Sequence, residues 1–240
     1  HQKAWSIMIK KIIVTGGNGR FGKELQKVKS KYKFTFLDKK KLDIQSPTSI
    51  QKNINKFKPD CVLHLAGLSR PMSIHENKLK KSIDLNIIGT ANLVKSCSEK
   101  NIKLIFFSTS YVYPGKKGNY KEDDALLPWN NYGWSKLGAE ASVQMYKNSL
   151  IIRACMTERP FIHKSAFSDV ISNFIFHDQF VKLFLKVIDK KGVINIGGKS
   201  QTIFSFARSY NKKVKKIKSK KQMPLKMYMN LDKFKKLAKK

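Results

Sequence analysis

Residues 10–22 read Lys-Lys-Ile-Ile-Val-Thr-Gly-Gly-Asn-Gly-Arg-Phe-Gly, and they carry the strongest indication of the fold class. The apolar run that ends at Thr15 is too short for a helix, so it predicts a buried strand. A helical pattern begins at Lys23, directly after the glycines. Strand, glycine-rich turn and helix, in this order, form the setting that a phosphate-binding loop requires.

The glycines of this turn have the spacing of a dinucleotide-binding loop. Gly16 allows the tight turn, Gly19 lets backbone approach a pyrophosphate, and Gly22 lets the helix pack close to the strand. Arg20 and Phe21 lie between the last two glycines and are candidate cofactor contacts as well. No Gly-Lys-Ser/Thr follows this turn, which argues against a P-loop NTPase. The stretch therefore predicts a dinucleotide site.

A second strand is predicted at residues 34–38, Phe-Thr-Phe-Leu-Asp, and it ends in an acid. Asp38 would lie near the adenosine ribose, where a carboxylate favours a 2′-hydroxyl over a 2′-phosphate. Three lysines follow at once, at positions 39, 40 and 41, and they could neutralise a phosphate. These residues leave the cofactor open between NAD(H) and NADP(H).

A third buried strand is predicted at residues 61–67, Cys-Val-Leu-His-Leu-Ala-Gly. Ala66 and Gly67 at its carboxyl end are small, which suits close passage of a cofactor. His64 lies inside the apolar run and is expected to be a core histidine with its hydrogen bonds satisfied, not a ligand. Helices are expected from residue 46 to about 57 and from residue 84 to 100.

A fourth strand is predicted at residues 103–108, and the hydroxyls of Thr109 and Ser110 follow it. Ligands of open parallel sheets bind in the crevice at the carboxyl ends of the strands. A hydroxyl-rich strand end is also common without any function. Together with the next motif, it becomes a candidate group for holding a carbonyl oxygen.

Residues 132–136, Tyr-Gly-Trp-Ser-Lys, place a phenol and an amine four residues apart. On a helix these two side chains share one face. An ammonium beside the phenol could lower the phenol pKa and fit Tyr132 for proton exchange near neutral pH. One such pair can arise by chance in any amphipathic helix. Beside the glycine turn and Thr109, it predicts a carbonyl-reducing or alcohol-oxidising site.

Composition limits the classes that remain. The chain has 240 residues, 41% of them hydrophobic, which is enough for a sizeable core, and it has no long uncharged apolar run. Its three cysteines lack metal-ligand or disulfide spacing, so no metal site is expected and the protein is expected to be cytoplasmic, without a membrane partner. Residues 1–7 are expected to be a cloning-derived or disordered extension before Met8.

A formal net charge of +33 raises the alternative of nucleic-acid binding. The charge is nearly all lysine, spread along the chain, whereas base and phosphate readers rely on the bidentate fork of arginine. No nucleic-acid recognition motif accompanies the lysines. We therefore expect no nucleic-acid partner, and the charge is compatible with attraction of anionic substrates.

Taken together, the motifs resemble those of the extended short-chain dehydrogenases/reductases, and most closely the dTDP-4-dehydrorhamnose reductase group. The resemblance spans the chain from about residue 8 to its end, and the motifs are specific jointly, not singly. The matching pieces are residues 15–22, 42–44, 65–67, 84–86, 108–113, 132–136, 150–153, 192–198 and 231–234.

The resemblance implies roles for individual residues. Tyr132 would donate a proton to the carbonyl oxygen, Lys136 would hold the nicotinamide ribose and tune the tyrosine, and Thr109 would bind the carbonyl. Asp43 and Ile44 match the pair that flanks adenine.

Further positions follow from the same resemblance. Asn86 matches an asparagine that supports the active-site helix, and Ser110 would line the substrate pocket. Arg153 and Met156 lie where the reductases carry Arg-Thr-Ser-Trp, and both are candidate substrate contacts. The chain departs from the group at Ser110 and Met156, which implies a different sugar or altered stacking. It also lacks the Asp-Glu pair that sugar dehydratases use.

The expected fold is α/β, a Rossmann-type doubly wound parallel sheet with a small C-terminal α/β substrate lobe. Residues 8–155 are expected to form the NAD(P)-binding domain. Residues 156–240 are expected to form a reduced substrate-binding lobe, in which residues 177–198 return to the main sheet.

The expected function is NAD(P)H-dependent reduction of a nucleotide-linked 4-keto-6-deoxy sugar in deoxysugar biosynthesis, by a possible homodimer. Two alternatives stay open. One is a nucleotide-sugar 4-epimerase, which uses the same three groups but keeps its cofactor. The other is a catalytically weak, cofactor-binding regulatory subunit, which the short C-terminal lobe suggests.

Overall fold

A parallel sheet of six strands forms the centre of the protein. The structure, a computed structural model, describes residues 9–239. The expected extension at residues 1–7, and Met8, lie outside the described residues. The strands are β1 Lys11–Thr15, β2 Lys33–Leu37, β3 Cys61–His64, β4 Lys103–Thr109, β5 Ser149–Ala154, β6 Ser165–Phe167, β7 Ile171–Ser172, β8 Gly192–Ile196, β9 Gln201–Thr202 and β10 Lys215–Ile217.

The strand order in the main sheet is β2-β1-β3-β4-β5-β8, and every neighbouring pair is parallel. The chain moves outward from β1 to β2 and then crosses back to β3 on the other side of β1. The connections after β1 and β3 therefore leave the sheet in opposite directions and open a crevice between them. The predicted α/β fold with a doubly wound parallel sheet is confirmed.

Helices cover both faces of the sheet. The helices of the described part of the chain are α1 Arg20–Gln26, α2 Pro47–Phe57, α3 Ile74–Asn77, α4 Leu79–Ser82, α5 Gly89–Glu99, α6 Asn131–Gln144, α7 His177–Leu185, α8 Ile203–Tyr210 and α9 Asp232–Ala238. Helices α1, α7 and α9 pack on the face that includes Ile12, Val14 and Ile152, whereas α2, α5 and α6 pack on the face of Ile13 and Ile151. This alternation along each strand decides which helix a strand residue can reach.

The predicted helices are present with one difference at their boundaries. Helix α2 begins after Ser46, whose hydroxyl accepts a hydrogen bond from the Ser49 N–H, and Pro47 occupies its first turn, as both residue types favour. The helix expected from residue 84 to 100 is instead preceded by α4 and widened into a π-helical turn at Ile83–Ile88. Such turns often occur at functional sites.

The chain beyond β5 builds a smaller layer at the carboxyl edge of the sheet. Strand β6 pairs with β10 and β7 pairs with β9, around an apolar cluster that includes Phe176, Phe206 and Met227. Helix α7 then packs against α1, and β8 joins the main sheet beside β5. Among residues 9–239, no helix is long and apolar enough to cross a bilayer.

Candidate active site

The glycine turn has no room for side chains where it meets its neighbours. Gly16 has φ +65°, and a Cβ there would lie 2.7 Å from the Ala66 backbone at the end of β3. A Cβ on Gly22 would collide with the carbonyl of Gly17. The Gln26 side chain donates to that same carbonyl at 2.9 Å and closes the turn. The turn therefore presents backbone, as a phosphate-binding loop must.

The residues expected around adenosine lie beside this turn. The Asp38 carboxylate accepts hydrogen bonds from Asn18 in the turn (3.3 Å) and from the Lys41 N–H (3.1 Å), so it lies at the end of β2 and borders the crevice. Asp43 is half-buried, and its carboxylate accepts from the Gln45 N–H. The Ile44 side chain is buried in the core and its carbonyl accepts a hydrogen bond from the Asn92 side chain at 3.2 Å, so the side chain cannot reach a ligand.

Helix α6 presents Tyr132 toward the end of β4. The Asn130 side chain starts the helix by accepting from the Gly133 N–H at 2.8 Å. The Tyr132 ring packs against the rings of His75 (centroids 5.1 Å apart) and Tyr111 (5.8 Å). Burial raises the pKa of the Tyr132 phenol, and the Thr109 hydroxyl, Arg70 and Arg20 oppose this rise. The expected lowering of this pKa by an ammonium is therefore not what the structure has.

Lys136 lies one helical turn after Tyr132, with its ammonium 4.1 Å from the centre of the Phe106 ring. Burial lowers the pKa of this ammonium to about 7, and Glu140, a further turn along α6, opposes the shift. The ammonium thus lies over the sheet instead of stabilising the phenolate. A ligand ribose would offer it hydrogen-bond acceptors that the Phe106 ring lacks.

Arg153 is not placed for substrate contact, which corrects the interpretation of its motif. Strand alternation turns its side chain toward α6, where it is 2% exposed and forms an ion pair with Glu140 (2.6 Å). It also donates to the Tyr113 hydroxyl at 2.7 Å and to the Glu122 carbonyl at 2.8 Å. With these partners, the Arg153 guanidinium links β5 of the sheet to α6 in the protein interior.

The other two candidate substrate residues, Ser110 and Met156, are turned into the protein interior. Ser110 is 1% exposed at the start of the short turn Ser110–Val112, close to the Cys155 thiol. Met156 is half-buried and packs against the apolar cluster under α7. Neither residue offers an exposed polar group to a ligand.

Asn86 ties the crevice to helix α6, as its motif suggested. Its amide donates to the Leu68 carbonyl (2.9 Å) and to the Ser135 hydroxyl (2.8 Å), and its carbonyl oxygen accepts from the Leu68 N–H (2.7 Å). Nearby, His64 bonds Thr15 and Thr90 through its two ring nitrogens at 2.8 and 2.9 Å. The interpretation of His64 as a satisfied core histidine agrees with these bonds.

Three residues near Tyr132 were not singled out from the sequence. Arg70 follows β3, Glu158 follows β5, and the two form an ion pair of 2.7 Å at the mouth of the crevice. His75 is fully buried against Tyr132. One signal pointed to Arg70: the chain has only five arginines among its 49 basic residues, so each arginine merits attention.

The crevice mouth is positively charged. Burial, together with Arg20 and Arg70, lowers the pKa of His177 to about 4, so this imidazole is neutral at physiological pH. Across residues 9–239, no group of three or more His, Cys, Asp or Glu side chains is arranged to hold a metal ion. At the mouth, the guanidiniums of Arg20 and Arg70 face the single carboxylate of Glu158.

Comparison with known proteins identifies relatives. The model of the RmlD substrate binding domain family matches residues 10–159. A dTDP-4-dehydrorhamnose reductase of Aggregatibacter actinomycetemcomitans is 28% identical over 152 residues, which cover 61% of this chain and 51% of that protein. Methionine adenosyltransferase 2 subunit beta of Pongo abelii is 27% identical over 148 residues, covering 56% and 42%. The chain thus spans about half the length of these curated relatives.

A solved structure extends the likeness to the whole fold. It is dTDP-4-dehydrorhamnose reductase from Bacillus anthracis str. Ames in complex with NADP, with a TM-score of 0.85 and 23% identity, covering 95% of this chain and 92% of that one. At 23% identity, this similarity shows a shared fold and no more. Because the family model covers more than half of the residues, the chain belongs to the RmlD substrate binding domain family.

Proposed function

We propose that this protein is an NAD(P)H-dependent reductase of a nucleotide-linked 4-keto-6-deoxy sugar. The observation that carries the proposal is the meeting of Tyr132 with Thr109, with Lys136 one helical turn away, at the same sheet edge as the glycine turn. A phenol beside a hydroxyl at this edge can grip and protonate a carbonyl oxygen.

The glycine turn supports the cofactor part of the proposal. A Cβ on Gly16 would clash with the Ala66 backbone and one on Gly22 with the Gly17 carbonyl, so both glycines are needed for the tight turn that would present its backbone to a pyrophosphate. Asp38 borders the ribose position and favours a free 2′-hydroxyl, while exposed lysines at positions 39–41 could accept a 2′-phosphate. Both NAD(H) and NADP(H) therefore remain within the proposal. When bound, the nicotinamide would supply hydride to the keto carbon.

The protein's own residues would handle the proton. Because burial raises the pKa of the Tyr132 phenol, the phenol is protonated at neutral pH and is ready to act as an acid. Thr109 is 6% exposed and would hold the carbonyl oxygen in reach of that proton. Lys136 would bind the ribose of the cofactor while its amine is protonated.

The names of the relatives support the substrate class and one alternative. The reductase relative is named for dTDP-4-dehydrorhamnose, which is a nucleotide-linked keto sugar. The methionine adenosyltransferase relative is named as a subunit, which favours a second candidate: a cofactor-binding regulatory subunit with little turnover of its own.

Turnover separates the candidates. The purified protein would be mixed with NADPH or NADH and a dTDP- or UDP-linked 4-keto-6-deoxy sugar, and the reduced-nicotinamide absorbance would be followed. A stoichiometric loss that Tyr132→Phe abolishes supports the reductase. An epimerase would interconvert nucleotide sugars without net loss of the reduced cofactor. Cofactor binding without either reaction would favour the regulatory subunit.

A homodimer is a further part of the proposal. Trp134 on α6 and Ile88 at the end of the π-helical turn are 48% and 45% exposed, which is high for large apolar side chains on neighbouring elements. Light scattering after size-exclusion chromatography would measure the mass. A monomer at all concentrations would remove the dimer from the proposal.

A further inference from the structure

Two arginines from different segments meet one carboxylate at the mouth of the crevice. The Arg70 guanidinium lies 2.7 Å from one oxygen of Glu158, and the Arg20 guanidinium lies 3.5 Å from the other oxygen. Arg20 also donates to the Ser69 hydroxyl at 2.9 Å, which keeps it beside Arg70. We call Arg20 and Arg70 the arginine pair.

The arginine pair is not neutralised by its partner. Two guanidiniums face one carboxylate, so the cluster keeps a net positive charge. The nearby His177 is neutral at physiological pH, and the Glu24 carboxylate on α1 is engaged by Lys27 at 2.7 Å. A group with two negative charges would balance the arginine pair better than Glu158 does.

The ion pairs with Glu158 are partly exposed to solvent, so a ligand can replace them. The side chains of Arg20 and Arg70 are 41% and 34% exposed and that of Glu158 is 22% exposed, so water screens the ion pairs. The buried pair of Arg153 and Glu140 is different, because both side chains are within 2% of complete burial and have further partners. The buried pair suits a structural role, and the exposed cluster suits exchange.

The position of the arginine pair indicates its ligand. Arg20 is the first residue of α1, directly after Gly19 of the glycine turn, and Arg70 lies on the connection after β3, so the pair spans the crevice between β1 and β3. Both guanidiniums also act on the Tyr132 phenol, which places them on the reactive side of the crevice. Guanidiniums bind phosphate oxygens through two parallel hydrogen bonds.

We propose that Arg20 and Arg70 bind the diphosphate of a nucleotide in the crevice, and that Glu158 holds the arginine pair in position until the diphosphate replaces its carboxylate. The choice of a dinucleotide cofactor or a nucleotide sugar as the source of the diphosphate rests on the proposed function. A diphosphate occurs both in the dinucleotide cofactor and in a nucleotide sugar, and the two sources are separated by experiment.

The test is a calorimetric titration of the full chain with four probes. ADP-ribose represents the cofactor, dTDP and UDP represent the nucleotide sugar, and dTMP serves as a monophosphate reference. The variants are Arg20→Gln, Arg70→Gln and Glu158→Gln. Lys23→Gln is the matched control, since it removes one exposed positive charge from the same helix. Circular dichroism and thermal unfolding check that each variant is folded.

We expect either arginine variant to weaken diphosphate binding by about 10-fold to 100-fold, because a charge-assisted hydrogen bond is lost. Lys23→Gln should change it by less than about twofold, and Glu158→Gln should tighten it by roughly threefold, since the competing carboxylate is gone. Loss confined to ADP-ribose would assign the arginine pair to the cofactor, and loss confined to dTDP or UDP would assign it to the nucleotide sugar.

Several results would overturn the proposal. They are arginine variants that bind both classes of probe as the unaltered chain does, a Glu158→Gln variant that binds more weakly, and an unaltered chain that binds no diphosphate more tightly than dTMP. If an arginine variant does not fold, Glu158→Gln and the salt dependence of dTDP and ADP-ribose binding to the unaltered chain decide. Since binding is measured without turnover, a failed reductase assay would leave this test intact.

Discussion

The region up to residue 156 and the region after it are built in different ways. In the first region, β1 to β5 have four to seven residues each, and the glycine turn and Thr109 lie at the carboxyl ends of β1 and β4, beside Tyr132 on α6. In the second, β8 has five residues and joins the main sheet, whereas β6, β7, β9 and β10 have two or three residues each, and single side chains connect neighbouring segments. The family model covers the first region and ends at residue 159.

Asn173 and Asn195 show how the second region is connected. Asn173 donates to the Gly198 carbonyl and the Ser200 hydroxyl, both at 3.0 Å, and accepts from the Met229 N–H. Asn195 on β8 donates to the carbonyls of Tyr120 and Asn230. The candidate catalytic residues are therefore held by a regularly paired sheet, whereas the region expected to bind the substrate is held together by individual polar side chains.

The largest expected effect tests whether the chemistry lies in the first region. Tyr132→Phe keeps the ring against His75 and removes only the phenolic hydroxyl. We expect kcat to fall by about 10²–10⁴-fold, the usual contribution of a general acid, with cofactor binding retained. Steady-state kinetics and a cofactor titration measure the two quantities. Full activity of the variant would remove Tyr132 from the chemistry.

The next effect concerns the buried pair below the crevice. Glu140→Gln would leave the Arg153 guanidinium charged and buried without its partner, so we expect a loss of about 3–5 kcal/mol in the free energy of unfolding. Urea denaturation measures it. Glu99→Gln, at the exposed end of α5, is the control and should cost less than about 0.5 kcal/mol. Equal losses in the two variants would contradict the structural role of Arg153.

A third effect tests the second region. Asn173→Ala would leave the Gly198 carbonyl and the buried Met229 N–H without their side-chain hydrogen bonds, and we expect a loss of about 2–3 kcal/mol in the free energy of unfolding. Binding of ADP-ribose should change little, because the glycine turn is untouched. Asn55→Ala on the exposed face of α2 is the control. If Asn173→Ala also weakened ADP-ribose binding by a comparable free energy, the two regions would not be independent.

The smallest effect is a dependence of stability on pH. Burial lowers the pKa of His64 to about 3, so below its ordinary value of about 6.5 the unfolded chain binds a proton that the folded protein does not. Stability should therefore fall as the pH falls, by about 1.4 kcal/mol from this one group at roughly one pH unit below the ordinary value. Urea midpoints across this range measure the fall.

A variant isolates the contribution of His64 from that of the other histidines. His64→Gln should be less stable at neutral pH, because Thr15 and Thr90 lose a partner, yet its stability should depend less on pH. His163→Gln, at an exposed position, should keep the pH dependence of the unaltered chain. An unchanged pH dependence in His64→Gln would contradict the assignment.

Much of the first region was predictable because its signals are local. Apolar runs, the glycine spacing and the spacing of Tyr132 and Lys136 each lie within one βα unit or one helix, so the strands, the turn and the helical face followed from the residues themselves. The side that Arg153 faces was not predictable, since strand alternation defines two faces without saying which one α6 covers. The ion pair of Arg70 and Glu158 joins residues 88 positions apart, and no local pattern announces it.

The direction in which the pKa of the Tyr132 phenol shifts was also not predictable from the sequence. Helical spacing places Lys136 on the same side of α6 as Tyr132. The direction in which its ammonium points depends on the Phe106 ring, which belongs to β4. Burial then decides the direction of the phenol pKa. Both quantities depend on packing between elements that are distant in the chain.

The placement of the three cysteines has a practical consequence for following this protein in solution. Cys61, Cys97 and Cys155 are all buried, and burial raises the pKa of each thiol, to about 12 for Cys61. Thiol-directed dyes react with exposed thiolates, so the folded chain should remain unlabelled. A cysteine introduced at Met145, which is 85% exposed at the end of α6, would then carry a single dye without removal of any native thiol.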